Sequence, residues 1–269
     1  MTWDPKRETI RLWSADPCGA DVASEVGTPE FFRAVDADRY GAYAPWLTEL
    51  LRADAVAGRR VVEIGCGLGT DLMQFARAGA RVAAVDLTPR HLALTGRRFA
   101  LEGRSVDLIR GDAESLPLRD GSVDFVYSFG VLHHTPDIEA AVEEMHRVLV
   151  PGGTALVAVY HRRSLFLWAW LLRAAVTARL LRQGYRRVMA DIEQHPHSEA
   201  VPLVDVYGVR DCRRLFRAFG TVDVSTHHAA YAAPITRLAR ALGWSPATLA
   251  SVERSLQAFG WYVVVRARK

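Results

Sequence analysis

Between Arg59 and Tyr160 short apolar runs alternate with amphipathic, helix-like segments, and this alternation restricts the fold more than any other feature. RRVVEIG, RVAAVDL, SVDLIRG, VDFVYSFG and TALVAVY each read as a strand. The spacing predicts intervening helices from Thr70 to about Arg77, from Pro89 to about Glu102 and from about Ile138 to Leu149. Gly79, Gly103 and Pro151-Gly152-Gly153 supply the stops, and Pro89 suits a first helical turn. Strands that are apolar throughout and are joined by helices belong to a parallel sheet covered on both faces. The fold class is therefore α/β, a doubly wound Rossmann-like sheet. Ligands of such sheets bind beyond the carboxyl ends of the strands.

The turn after the first strand carries the chemistry. VVEIGCGLGTDL places glycines at 65, 67 and 69, a backbone stripped of side chains where a ligand must approach it closely. The dinucleotide fingerprint G-x-G-x-x-G has its third glycine one residue later, so this spacing disfavours a nicotinamide oxidoreductase. Asp86 ends the second strand, 21 residues after Gly65, where a carboxylate accepts hydrogen bonds from a ribose diol. Asp112 follows the third strand in GDAESLP. Glu63, Asp86 and Asp112 lie at successive strand ends, and the glycine loop holds no Lys or Arg. Such a site serves a pyrophosphate poorly. It suits a ligand with an ammonium group, a ribose and an exocyclic amine.

These segments resemble the class I S-adenosylmethionine-dependent methyltransferases, in particular the small-molecule, methyltransferase type 11-like branch. VVEIGCGLGTD is similar to the first motif of that family, AVDLT to its ribose motif, GDAESLPLRDGSVDFVYSFGVLHHTPD to its adenine and fourth-strand motifs, and VLVPGGTALVAVY to its fifth-strand motif. Together they cover residues 58–160 in the family's order. The resemblance implies a seven-stranded sheet with a reversed last strand, the edge being made by TVDVSTHH and GWYVVVRAR. It implies S-adenosyl-L-methionine as cofactor, with the backbone at Gly65 and Gly67 approaching the methionyl part and Glu63 orienting the loop. Asp86 would bind the ribose, Asp112 the adenine amine, and Ala113 would donate its N–H to the ring. Cys66, Leu87 and Ser128 complete the implied cofactor set, Cys66 as a small side chain tolerated in a crowded loop.

Acceptor chemistry belongs just beyond the fourth and fifth strands. His133 and His134 are candidate bases there, although paired histidines at this point also serve the resembling branch structurally. Tyr160, His161 and Arg162 sit at the mouth, whereas His227 and His228 close the sixth strand and are expected to face solvent. The fourth strand ends in Ser128-Phe129-Gly130-Val131, unlike the Asp-Pro-Pro-Tyr or Asn-Pro-Pro-Tyr of nucleic-acid amino-methylation. Pro17-Cys18 mimics a cytosine-methylase nucleophile but precedes the core instead of following the fourth strand.

Outside the core, residues 1–50 form an aromatic, helical N-terminal cap, followed by the cofactor-binding core at 51–162. Residues 163–219 read as a helical lid broken near Pro196 and Pro202, and 220–269 as the last two strands with a helical piece near Ile235–Leu242. The stretch SLFLWAWLLRAAVTARLL within the lid is interrupted by Arg173 and Arg179, too early for a membrane span. Trp168 and Trp170 are expected to cover an apolar acceptor. The net charge of +4 comes from 34 basic residues of which only Lys6 and Lys269 are lysine, and the arginines are scattered instead of clustered as nucleic-acid binding requires. The charged start, MTWDPKRETI, lacks the apolar stretch of a signal peptide. Cys18, Cys66 and Cys212 fit no metal-ligand spacing and read as reduced thiols of a cytoplasmic protein, with no metal expected. The reading is thus a methyltransferase of a small, partly apolar molecule. The alternatives are a protein of this fold that performs a non-methyl reaction such as a cyclisation, or one that serves as a non-catalytic subunit.

Overall fold

The computed structural model describes residues 3–22, 25–193, 198–229 and 242–269. Seven strands form one sheet in the order β3-β2-β1-β4-β5-β7-β6: β1 Arg60–Ile64, β2 Arg81–Asp86, β3 Asp107–Arg110, β4 Val123–Phe129, β5 Leu149–Tyr160, β6 Thr221–His227 and β7 Tyr262–Arg268. β1 to β5 are parallel. β7 runs antiparallel between β5 and β6, so the reversed last strand is present. β5 starts earlier than TALVAVY, because Leu149 already pairs with Val123 before a register shift brings Phe125 opposite Thr154. The Pro151-Gly152-Gly153 segment is therefore absorbed into the strand as an irregularity.

Helices α1 Pro5–Ala15, α2 Pro29–Ala37 and α3 Leu47–Leu51 precede the sheet, and α4 Thr70–Arg77, α5 Pro89–Leu101 and α6 Ile138–Val148 connect β1 to β5. After β5 come α7 Leu165–Val176, α8 Arg179–Ala190 and α9 Val209–Leu215, with α10 Pro246–Gln257 before β7. Local chemistry sets several starts: the side chains of Asp4, Thr28, Asp137 and Ser164 accept N–H bonds at the first turns of α1, α2, α6 and α7. Gly184 breaks α8 with a φ of 78°. The expected break at Pro196 lies outside the described residues, as does all of the helical piece at 235–242 except Leu242.

Alternation along the strands fills two layers. Val61, Phe125, Tyr127, Leu156, Ala158, Tyr262 and Val264 pack with α3, α4, α5, α7 and α8. Val62, Ile64, Val126, Ala155, Val157, Val263 and Val265 pack with α6 and α9 on the other face. Strand order reverses between β1 and β4, and this leaves a crevice at their carboxyl ends where ligands of such sheets bind. Among the described residues no helix is long and apolar enough to cross a membrane.

Candidate active site

A cavity of about 560 Å³ opens at this switch point and is lined by the β1–α4 turn, the ends of β2 and β4, and helix α1. Gly65, Gly67 and Gly69 all have positive φ, at 73°, 53° and 67°. At Gly65 the demand is steric as well, since a Cβ there would lie 2.2 Å from the Val131 side chain. The Gly65 N–H donates to Val85 O at 2.7 Å, so the loop is fixed from below while its upper side borders the cavity.

Asp86 is buried and holds the loop together. Its carboxylate accepts from Thr88 N at 2.8 Å, from Gly67 N at 3.2 Å and from the His91 ring Nδ1 at 3.1 Å. With Nδ1 donating, the buried Nε2 of His91 is an acceptor without a partner on a ring that lines the cavity. A ribose hydroxyl can donate to it as well as to Asp86. His91 was missed by sequence reasoning; its signal is its place in the first turn of α5, five residues after the acid. At the next strand end Asp112 accepts from Lys6 Nζ at 2.6 Å and from Glu114 N at 3.0 Å. Lys6 also bonds Glu114, so α1 is fastened across the end of the cavity assigned to adenine. Leu87 and Ala113 line the same region.

Glu63 lines the cavity with Oε2 unpartnered. Burial, then the Asp71 charge, raises its carboxyl well above the ordinary value, while Arg39 and the Leu72 N–H pull the other way. An ammonium or sulfonium ligand favours the ionised form, so binding a cation must release the proton. Affinity for the cationic cofactor is therefore expected to rise with pH, by up to about tenfold per pH unit, and to level off above the raised value. Without ligand the sign is opposite: the Glu63 contribution to stability is fullest below about 4.5 and declines as pH rises towards the folded value. Calorimetry in buffers of different ionisation enthalpy counts the proton, and Glu63→Gln should abolish both the release and the pH dependence. Cys66 lies 3.8 Å from Asp86 and is raised by burial and by that charge. It is a protonated, unreactive thiol, in keeping with its small-side-chain reading. Cys18, exposed at the surface, also borders the cavity.

The far half of the cavity is aromatic. After α2 the chain widens into a π-helical turn, Asp38–Tyr43, which carries Arg39, Tyr40 and Tyr43. Arg39 pairs with Asp71, whose oxygens also accept from Tyr40 and Tyr127 at 2.7 Å each. The guanidinium lies 4.0 Å over the Phe129 ring. Tyr43 hydrogen-bonds Tyr262, and Tyr160, Phe166 and Trp261 complete the wall.

The structure redistributes several expected roles. Tyr160 and His134 line the cavity. His133 is fully buried behind them, stacked 3.6 Å from Tyr160, and burial followed by His134 keeps its ring neutral. His161 is not part of the wall: its Nδ1 bonds Gly260 O at 3.0 Å and its backbone pairs with Tyr207. Arg162 is turned outward to Val206 O and Asp211. Ser128, completely buried, donates to Ile64 O at 2.9 Å and ties β4 to β1 instead of facing a cofactor. Trp168 is 63% exposed and Trp170 donates to Val188 O, so it is Phe166 that α7 presents to the cavity. His227 and His228 are half-buried instead of facing solvent outright: His227 stacks on Trp46, and His228 lies tilted against Tyr43 and lines the cavity, because the end of β6 is covered by the π-helical turn and the segment following it.

Residues 62–157 match the family model described as "Methyltransferase domain". A ubiquinone biosynthesis O-methyltransferase from Cupriavidus pinatubonensis is 35% identical over 140 residues, 52% of this chain and 55% of that protein. The chain spans about half the length of the curated relatives it matches. Among solved structures, a SAM-dependent methyltransferase from Aquifex aeolicus superposes with a TM-score of 0.53 at 14% identity, covering 90% of this chain and 98% of that one. The [4+2]-cyclase SpnF superposes with a TM-score of 0.55 at 18% identity, covering 98% and 91%. At these identities the two structures establish the fold. Motifs, glycine cradle, acidic strand ends and the matched model together make residues 62–157 a methyltransferase domain of the type 11-like kind, whose cofactor is S-adenosyl-L-methionine.

Proposed function

We propose that the protein transfers a methyl group from S-adenosylmethionine to a small, partly apolar acceptor. The observation that carries this reading is the continuity of one cavity from the acid-lined glycine loop to an aromatic wall of Tyr43, Phe129, Tyr160, Phe166, Trp261 and Tyr262. When bound, the cofactor supplies a methyl group made electrophilic by a sulfonium. The residues present fit it: Glu63 offers an unpartnered buried carboxyl oxygen, the Gly65 cradle has no room for a side chain, and His91 offers an unpartnered acceptor beside Asp86. Gly65 and Gly67 would border its methionyl part, Asp86 and His91 the ribose, and Asp112 and Ala113 the adenine.

What remains for the chain is positioning, worth about 7–11 kcal/mol where reacting atoms are held in line. The aromatic wall orients an apolar acceptor and excludes water, and the Arg39–Asp71 pair, itself on the cavity lining, packs against Phe129 of that wall. Of the paired histidines His134 is the one in contact with the cavity, and it is the candidate acceptor of a proton from the nucleophile. The name of the Cupriavidus relative supports testing hydroxylated aromatic acceptors first. An acceptor screen scored for S-adenosylhomocysteine and for a product heavier by one methylene tests the proposal. Cofactor binding with no product from any hydroxylated, amino or carbon acceptor would leave the non-methyl reading in its place.

A further inference from the structure

Beside Tyr160 each of three buried side chains, His133, His134 and Glu193, has at least one nitrogen or oxygen without a hydrogen-bond partner. Nδ1 of His134 lies 2.6 Å from Leu203 O, and a carbonyl only accepts, so Nδ1 carries the proton. In the neutral ring Nε2 then holds the lone pair. It has no partner, and it stands 3.9 Å from Oε1 of Glu193, which has none either. Two acceptors facing each other in a dry pocket repel unless something positive lies between them. The third member, His133, is completely buried with both ring nitrogens unpartnered. One donor atom from each of His133, His134 and Glu193 lies within 4.8 Å of the other two.

We propose that His133, His134 and Glu193 form a binding site for a divalent transition-metal ion such as Zn²⁺ at the acceptor end of the cavity. Two imidazole nitrogens with one carboxylate suit zinc and its first-row neighbours, whereas Mg²⁺ and Ca²⁺ take oxygen ligands. The Leu203 carbonyl supplies the outer hydrogen bond that fixes the tautomer and orientation of a ligating histidine. Bonds of about 2.0–2.2 Å place ligands roughly 3.5 Å apart, so the three donors draw together by about an ångström on binding. Glu193 can supply this movement, since it lies in the turn beyond the end of α8 instead of within a helix. Among the described residues three protein ligands are present, and because both His134 and Glu193 border the cavity, the remaining positions face the acceptor. On the methyltransferase reading, His134 then serves as a ligand instead of as the base, and an acceptor hydroxyl would coordinate there: the oxygen–metal bond forms, the O–H bond breaks, and the proton passes to solvent water.

The test is made on the whole chain without acceptor, so its result does not depend on methyl transfer. Protein stripped with a chelator is titrated with Co²⁺, followed by visible absorption, and with Zn²⁺, followed by calorimetry. One equivalent is expected to bind at micromolar dissociation constant or tighter. The isosteric Glu193→Gln and His134→Gln should each weaken binding by more than about 100-fold, beyond the loss caused by removing an outer partner, while cofactor affinity stays within about twofold. No saturable binding by the wild type would overturn the site. Binding that survives both substitutions would place the ion elsewhere and overturn it equally.

Discussion

Gly65→Ala is expected to remove most cofactor affinity and to destabilise the fold by about 2–5 kcal/mol. Two costs add. An alanine in left-handed backbone costs about 1–2 kcal/mol, and Gly65 has a φ of 73°. Crowding a packed site costs about 1–3 kcal/mol more, and the new methyl would stand 2.2 Å from Val131. Relief by moving the loop would carry its upper surface into the cofactor's space. Val131→Ala in the same chain should recover most of the crowding part, its own Cβ still standing 2.9 Å away, and leave the backbone part. A double-mutant cycle on both thermal stability and cofactor binding separates them. Unchanged cofactor affinity in the single variant would show that the ligand does not touch this turn.

Asp71→Ala should lower stability by about 3–5 kcal/mol, the usual result of leaving a buried charge without its partner. For a chain of this size that is a fall in Tm on the order of 10 °C. Burial alone would raise the Asp71 carboxyl, but Arg39 and the hydroxyls of Tyr40 and Tyr127 outweigh it and hold it below 3.8. The pair's contribution is thus present above that ordinary value and is lost as acid protonates Asp71 through the lowered one. Asp71→Asn keeps a hydrogen-bonding oxygen for the tyrosines and should cost less than Asp71→Ala. Substituting Arg39→Met together with Asp71→Asn should regain part of the loss. Equal Tm values for wild type and Asp71→Ala would mean that Arg39 finds its compensation in cavity water.

The sheet and the glycine turn with its acidic strand ends were legible because their signals are local. A strand buried on both faces reads as an apolar run whatever surrounds it, and a glycine turn followed by an acid at the next strand end is a spacing along one chain. The acceptor half is assembled from residues far apart. Nothing near Arg39 in sequence announces Asp71, and nothing in DIEQH announces that Glu193 meets His134. An apolar helix such as α7 reads alike on every side, so Trp168 and Phe166 looked equivalent although one is exposed and the other faces the cavity. His161 and Ser128 stand at the right strand ends, but a one-residue step along a strand turns a side chain from the site to a neighbouring strand or loop. The histidines ending β6 looked like edge residues because the segment that covers them lies about 180 positions earlier.

The place of β7 in the sheet sets the order in which a ribosome can deliver this protein. The strand made last is the one that lies between β5 and β6, paired along its length from Tyr262 to Arg268 on both sides. Until Arg268 emerges, β5 keeps a bare outer edge and β6 has no strand beside it. The nascent chain therefore carries the bare edge of β5 through the synthesis of residues 161–261, joined by β6 once residue 227 is made, both open to pairing with other chains. Closure then joins segments more than a hundred residues apart in one late step, the kind of long-range pairing that folds slowly.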